Sequence, residues 1–189
     1  MGRAQLLIRH PFKAIGSLAL VLAAVSVAVG SGANFSSNTA NPSNAFTAGN
    51  LRQTNSKDGT AILTAVKMKP GDTTNGTVTI TNSGDIAGSF SLAKSNVSDT
   101  PGANGGQLSA KLNVKVEDVT EVASPVVVYN GVIGSMGSQS LGSFAVNEAR
   151  TYKFTVTFPD GGTPSSNTTG DNAYKGSSMS IEYDWNAVS

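Results

Sequence analysis

The residues that carry most enzyme chemistry are nearly missing from this chain of 189 residues. It contains no cysteine and a single histidine, His10. Ser-His-Asp and Cys-His catalysis, thiolate metal sites and the HExxH zinc motif all need residues that do not occur after position 10. We therefore expect no catalytic residue, no cofactor and no metal ion, and we predict that the protein is not an enzyme.

Carboxylates are the remaining side chains that could do chemistry. Glu117 and Asp118 lie close to Glu121, and Glu182 lies two positions before Asp184. A glycosidase needs two carboxylates that face each other across a cleft, and sequence spacing does not establish such a pair. We expect these groups to be solvated side chains at strand ends and in loops.

Two further groups of residues could bind ligands. Asp99, Asp160 and Asp171 occur in Gly- and Asn-rich segments, and carboxylates there could bind Ca²⁺, although the EF-hand spacing is missing. Tyr183 and Trp185 could form a stacking platform for a sugar. Their alternation with acidic residues instead favours packing into a core.

The first 33 residues have the pattern of a secretory signal peptide. Basic residues Arg3, Arg9 and Lys13 precede an uncharged stretch whose most apolar part, Leu18–Val29, spans 12 residues. That length fits a signal-peptide core, usually about 7–15 residues, whereas a membrane span needs about 20. An uncleaved membrane anchor remains the alternative.

A cleavage site for a signal peptidase follows the apolar stretch. Ser31 and Ala33 supply the small side chains that such an enzyme requires, so cleavage would leave Asn34 as the new N-terminus. The mature chain then has ten basic and 12 acidic residues, without a basic run. We predict a secreted protein that binds no nucleic acid and has no stable membrane insertion after cleavage.

Residues 34–50 form a polar arm with few core-forming side chains. Phe35 and Phe46 are its aromatic residues, and Ala40 and Ala45 are smaller apolar contacts. Such a segment is either a disordered tail or a strand that pairs with a sheet outside its own domain.

Residues 51–189 show short runs with β-type alternation, separated by turn residues. This pattern predicts an all-β domain, an antiparallel sandwich of the jelly-roll type. The predicted strands are Thr60–Met68, Gly76–Thr81, Ile86–Leu92, Leu108–Val116, Pro125–Ile133, Leu141–Phe144, Thr151–Phe158 and Ser178–Asn186.

Turn residues predict how these strands are connected. Asn82–Asp85 favours a β-hairpin between the second and third runs, and Asn130-Gly131 indicates a turn or a bulge. Ser95–Gly106 and Asp160–Lys175 are polar and rich in turn-forming residues, so both are predicted to be surface loops.

Taken together, several segments resemble the TasA/camelysin family of secreted bacterial proteins that form fibres in the biofilm matrix. They occur in the order found in that family and span most of the chain after the signal peptide. The segments are Ala33–Ser36, Asn44–Leu51, Met68–Asp72, Gly76–Gly84, Asn172–Ser178 and the terminal Trp185-Asn186-Ala187.

The resemblance implies a jelly-roll domain, export through the general secretory route with a dedicated signal peptidase, and assembly into extracellular fibres. In such fibres the N-terminal segment of one subunit inserts as a strand into the next, so the main partner is a second copy, and an accessory anchoring protein is possible. Phe35, Ala40, Ala45 and Phe46 are the expected arm contacts. The alternatives are a monomeric surface module that binds glycan or protein ligands through loops 95–106 and 160–175 and, less favoured, a camelysin-like metalloprotease.

Overall fold

The computed structural model describes residues 47–189 of the chain, and these residues form eight β-strands. Three short 3₁₀ turns connect some of them, at Leu108–Ala110, Ile133–Ser135 and Gly170–Tyr174. The strands are β1 (Gln53–Asn55), β2 (Thr73–Asn82), β3 (Gly88–Thr100), β4 (Asn113–Asp118), β5 (Val126–Val132), β6 (Gln139–Phe144), β7 (Ala149–Thr157) and β8 (Ser178–Val188).

The strands form two antiparallel sheets. The first has five strands in the order β1-β2-β7-β4-β5, and the second has three in the order β6-β3-β8. The predicted all-β, antiparallel fold class is thus confirmed. The predicted signal peptide, and the predicted arm up to Phe46, lie outside the described residues.

The core lies between the two sheets and consists of alternate residues from facing strands. Phe90 on β3 stacks on Phe144 of β6, with ring centroids 4.2 Å apart. Phe154 on β7 contacts Tyr183 on β8, with centroids 4.7 Å apart. Fully burying an aromatic side chain contributes about 1.5–3 kcal/mol. The contact between Phe154 and Tyr183 joins the two sheets, whereas Phe90 and Phe144 pack within the three-stranded sheet.

The predicted hairpin between the second and third runs is wrong. β2 pairs with β1 and β7, whereas β3 pairs with β6 and β8 in the other sheet. Asn82 explains the crossing, because its fully buried side chain donates to the Ile86 carbonyl at 2.8 Å and to the Phe144 carbonyl at 3.2 Å. Its Oδ1 accepts from the Gly84 amide at 3.0 Å, which turns the chain towards the second sheet.

The predicted strand at Thr60–Met68 is also wrong, because these residues lie outside any ladder. Ile62 and Leu63 are both partly buried, so the segment does not alternate between two faces. It packs against β2 at Gly76, where a β-carbon would overlap with the Ile62 carbonyl oxygen. The apolar residues of Thr60–Met68 therefore cover β2 but do not form an additional strand.

Three boundaries differ from the sequence prediction. β3 continues to Thr100, through a register shift next to Asn96, into the predicted loop Ser95–Gly106. Leu108–Ala110 forms a 3₁₀ turn, so the predicted strand of that region begins at Asn113. Asn130-Gly131 lies inside β5, and the bulge falls two positions before Asn130, at Val128.

Candidate assembly interface

Strand β8 lies at an edge of the three-stranded sheet, and we call its side away from β3 the β8 edge. Within residues 47–189, β3 is the neighbour to which β8 is hydrogen-bonded. No main-chain hydrogen bond from another described segment reaches residues 178–188. An edge of this kind offers main-chain N–H and C=O groups to an added strand.

The core-facing row of β8 is less covered than the rows of the inner strands. On β7 the apolar core-facing residues Tyr152, Phe154 and Val156 are buried, whereas on β8 only Trp185 is buried. The other core-facing residues of β8 are partly buried: Met179, Ile181, Tyr183 and Ala187. These partly buried apolar side chains would become more buried if another strand lay beside β8.

A side chain of β1 identifies which groups of β8 face this edge. The Gln53 side-chain amide donates a hydrogen bond of 2.6 Å to the Trp185 carbonyl. In an antiparallel ladder the N–H and C=O of one residue point to the same side, and the side alternates along the strand. The main-chain groups of Tyr183, Trp185 and Ala187 therefore all point away from β3.

A groove runs between β1 and the β8 edge. Its volume is about 620 Å³. Polar atoms from side chains and main chain contribute much of the surface, which suits a polar extended peptide. The residues that line it are Gln53, Thr54, Asn55, Asp58, Tyr183, Asp184, Trp185 and Asn186.

Aromatic side chains form the base of this region. Trp185 lies 5.2 Å from Tyr152 and 6.3 Å from Phe154, measured between ring centroids. The Tyr183 hydroxyl and Trp185 Nε1 are buried and have no hydrogen-bond partner among the described residues. Burial raises the pKa of Tyr183 to about 12, so its hydroxyl stays neutral and able to donate at physiological pH.

The last two residues of the predicted arm, Gly49 and Asn50, and the two that follow them are fixed close to one end of β8. The Asp85 amide donates to the Asn50 carbonyl and the Ser83 amide to the Arg52 carbonyl, both at 2.9 Å. The Leu51 side chain is close to Gly88, which in turn lies beside the Val188 carbonyl at the end of β8. We call residues 49–52 the root of the arm.

The predicted cleavage and assembly residues lie outside the part of the chain that the structure describes. These are Ser31, Ala33, Asn34, Phe35, Ala40, Ala45 and Phe46. The described residues instead form the β8 edge, the groove and the root.

The three aspartates considered for Ca²⁺ are each occupied by protein donors. Asp99 accepts from the amide and hydroxyl of Ser109. Asp171 forms an ion pair of 3.0 Å with Lys111, and Asp160 accepts from the Gly162 amide at 2.8 Å. Among residues 47–189 no three His, Cys, Asp or Glu side chains are grouped to hold a metal ion.

The two predicted loops are joined to each other. The Asn104 side chain donates to the Asn172 carbonyl and the Gly106 amide to the Ala173 carbonyl, both at 3.1 Å. Tyr174, from the same segment as Asn172, packs edge-on against Phe158. These contacts join the two segments to each other and, through Tyr174, to the core residue Phe158.

Comparison with known families agrees with the resemblance drawn from the motifs. A family model described as camelysin metallo-endopeptidase matches residues 12–130, which is more than half of the chain. The chain belongs to this family. No curated protein gives a match. In this member of the camelysin family, residues 47–189 include no helix that is long and apolar enough to cross a membrane.

The name of the family implies a catalytic metal, and the residues of this chain do not fit one. The sole histidine is His10, cysteine is absent, and the sequence lacks an HExxH motif. Zinc sites in peptidases need histidine ligands together with a carboxylate. The described domain holds no group of side chains that could replace them, so we derive no metal-dependent step.

Proposed function

We propose that this protein is a secreted structural subunit of extracellular matrix or surface fibres. Membership of the TasA/camelysin family supports a structural matrix protein. In this proposal residues 34–46 of one subunit pair as a strand with the β8 edge of the next subunit. Head-to-tail addition does not close on itself and therefore gives filaments.

The proposal rests on the open edge of strand β8. Its main chain has one strand neighbour within the described domain, and its core-facing row is only partly covered. An added strand would satisfy the outward-facing groups of Tyr183, Trp185 and Ala187 and would bury the remaining apolar surface.

The N-terminal arm has the length and composition for this role. Residues 34–46 extended at about 3.3 Å per residue reach roughly 43 Å, enough to follow all of β8. Phe35 and Phe46 would face the core, with a one-residue bulge at Pro42 bringing these two positions, 11 residues apart, to the same face of the strand. Ala40 and Ala45 would then point to the opposite face, towards the polar groove. Pro42 cannot donate to a ladder, so pairing would be interrupted there.

Processing would create the arm. Cleavage after Ala33 by a signal peptidase would leave Asn34 as the first residue and would separate the arm from the apolar segment. In this proposal an accessory protein attaches the fibre to the cell.

Electron microscopy of two chains tests the proposal. Residues 34–189 should form filaments, whereas a chain that starts at Gly49 keeps the root and should stay monomeric. Filaments from the shorter chain would contradict strand donation by the arm. Monodisperse particles from both would favour the binding-module alternative, and chelator-sensitive cleavage of casein would contradict a purely structural role.

A further inference from the structure

The Gln53 side chain occupies a hydrogen-bonding position that an added strand would need. Its amide donates to the Trp185 carbonyl, which points to the open side of β8. We infer that Gln53 is a placeholder, which holds this carbonyl in the free subunit and must leave when the arm of another subunit arrives. This inference rests on the proposed function.

The geometry excludes simultaneous occupancy. A paired strand would run about 4.8 Å from β8 and would place an N–H nitrogen about 2.9 Å from each outward carbonyl oxygen. Gln53 Nε2 already lies 2.6 Å from the Trp185 carbonyl oxygen. The amide group therefore stands where the backbone of the incoming strand would run.

The exchange requires only a side-chain rotation. The backbone of Gln53 lies in β1 and pairs with Asn82 of β2. The carbonyl of the neighbouring Arg52 accepts a hydrogen bond from the Ser83 amide. Gln53 is otherwise exposed, so its amide can turn to water. The fold of the domain should be the same with and without the placeholder bond.

Removing the placeholder should strengthen binding of the arm. In the wild type one hydrogen bond is broken when the arm binds, whereas Gln53→Ala leaves the carbonyl open in the free subunit. A net hydrogen bond of ordinary strength corresponds to an increase in affinity of about five-fold. Gln53→Glu should behave similarly, because an ionised carboxylate cannot donate to a carbonyl.

Trp185 allows the binding to be measured directly. It is the only tryptophan of the chain and lines the groove. The buried core residues lie between Val78 and Trp185, so a chain that starts at Gly49 retains them. We would titrate this chain with a synthetic peptide of residues 34–46 and follow the fluorescence of Trp185.

The expected result is that Gln53→Ala and Gln53→Glu bind the peptide about five-fold more tightly than the wild type. Gln107→Ala serves as the control, because Gln107 is exposed and makes no side-chain bond at the turn that follows it. Equal or weaker binding by Gln53→Ala would overturn the placeholder while leaving strand donation intact. Failure of the peptide to bind any of these chains would overturn the proposed function and the placeholder together.

Discussion

Gly84 lies against the main chain of Asn50. A β-carbon at position 84 would overlap with the Asn50 carbonyl oxygen and would lie 2.7 Å from the Arg52 amide nitrogen. The two residues belong to different segments of the family resemblance, one to Asn44–Leu51 and the other to Gly76–Gly84. Their contact gives a structural reason for both segments, since it fixes the point where the arm leaves the domain.

Gly84→Ala should therefore displace the root. Backbone atoms cannot move aside as a flexible side chain can, so we expect a loss of about 1–3 kcal/mol in the free energy of unfolding. Limited proteolysis should also cut the chain near residues 49–52 more rapidly. Gly137→Ala is the control, because a β-carbon there meets no atom within 4 Å. Equal stability of the two variants would show that the root is not held at Gly84.

The sequence correctly predicted those strands whose alternate side chains point into the core. Tyr152, Phe154 and Val156 on β7, and Phe158 directly after it, are all buried, as their spacing indicated. Thr60–Met68 has similar composition, but it is used as a covering segment. Local propensity describes how well a residue suits a half-buried surface, and it does not say whether a partner strand is available.

The crossing between the sheets and the edge of β8 could not be predicted from the chain alone. Asn82 and Gly84 are ordinary turn residues in sequence, so a hairpin was the natural expectation. The crossing becomes evident only from the buried bonds of the Asn82 side chain to Ile86 in the connection and to Phe144 in the second sheet. The sequence did not indicate a role for Gln53, because the Trp185 carbonyl to which it donates is 132 positions away.

Asn82→Ala should be among the most destabilising polar substitutions in the domain. It removes two donated bonds and one accepted bond at a fully buried position. Leaving buried carbonyls without a donor costs about 1–3 kcal/mol, so we expect a total loss of about 2–4 kcal/mol in urea unfolding. Asn75→Ala, at an exposed position of β2, should change stability by less than about 0.5 kcal/mol. A loss below about 1 kcal/mol for Asn82→Ala would contradict this role.

The Asp171 carboxylate should make stability depend on acid pH. The hydrogen bond from the Gly161 amide and the neighbouring Lys111 ammonium lower the pKa of Asp171. A carboxyl whose pKa is lowered by folding stabilises the fold above its unfolded pKa of about 3.9, and this contribution is lost as pH falls through the folded value. The melting temperature of the wild type should therefore fall more between pH 5 and acid pH than that of Asp171→Asn. Glu121→Gln, at an exposed position, should follow the wild type. The same acid dependence in wild type and Asp171→Asn would contradict the assignment.

Phe35→Ala and Phe46→Ala should each weaken assembly without changing the folded domain. Loss of a phenyl group from a buried site usually costs about 3–5 kcal/mol; at a partly covered edge we expect the critical concentration for filaments to rise at least about ten-fold. Sedimentation of filaments over a concentration series measures this. Thr39→Ala is the control, because a small polar side chain carries little of the apolar contact. Unchanged critical concentrations for both Phe variants would show that these residues are not the anchors.

Two proline substitutions at the end of β8 should separate folding from assembly. Asn186 is opposite Ser91 and, by the alternation that places the Trp185 carbonyl on the open side, its N–H points towards β3. Asn186→Pro should remove a ladder bond and lower the free energy of unfolding by about 2–4 kcal/mol. The N–H of Ala187 points to the open side, so Ala187→Pro should leave the ladder with β3 intact.

Ala187→Pro should instead block assembly, because proline cannot donate to an added strand and its ring occupies space beside the edge. We expect a folded monomer with a melting temperature within a few degrees of the wild type and no filaments in electron micrographs. Circular dichroism on the same samples would show whether the fold is kept. Filaments of normal length from Ala187→Pro would mean that the arm pairs elsewhere, and the opposite edge of the other sheet, at β5, would then be the next strand to test.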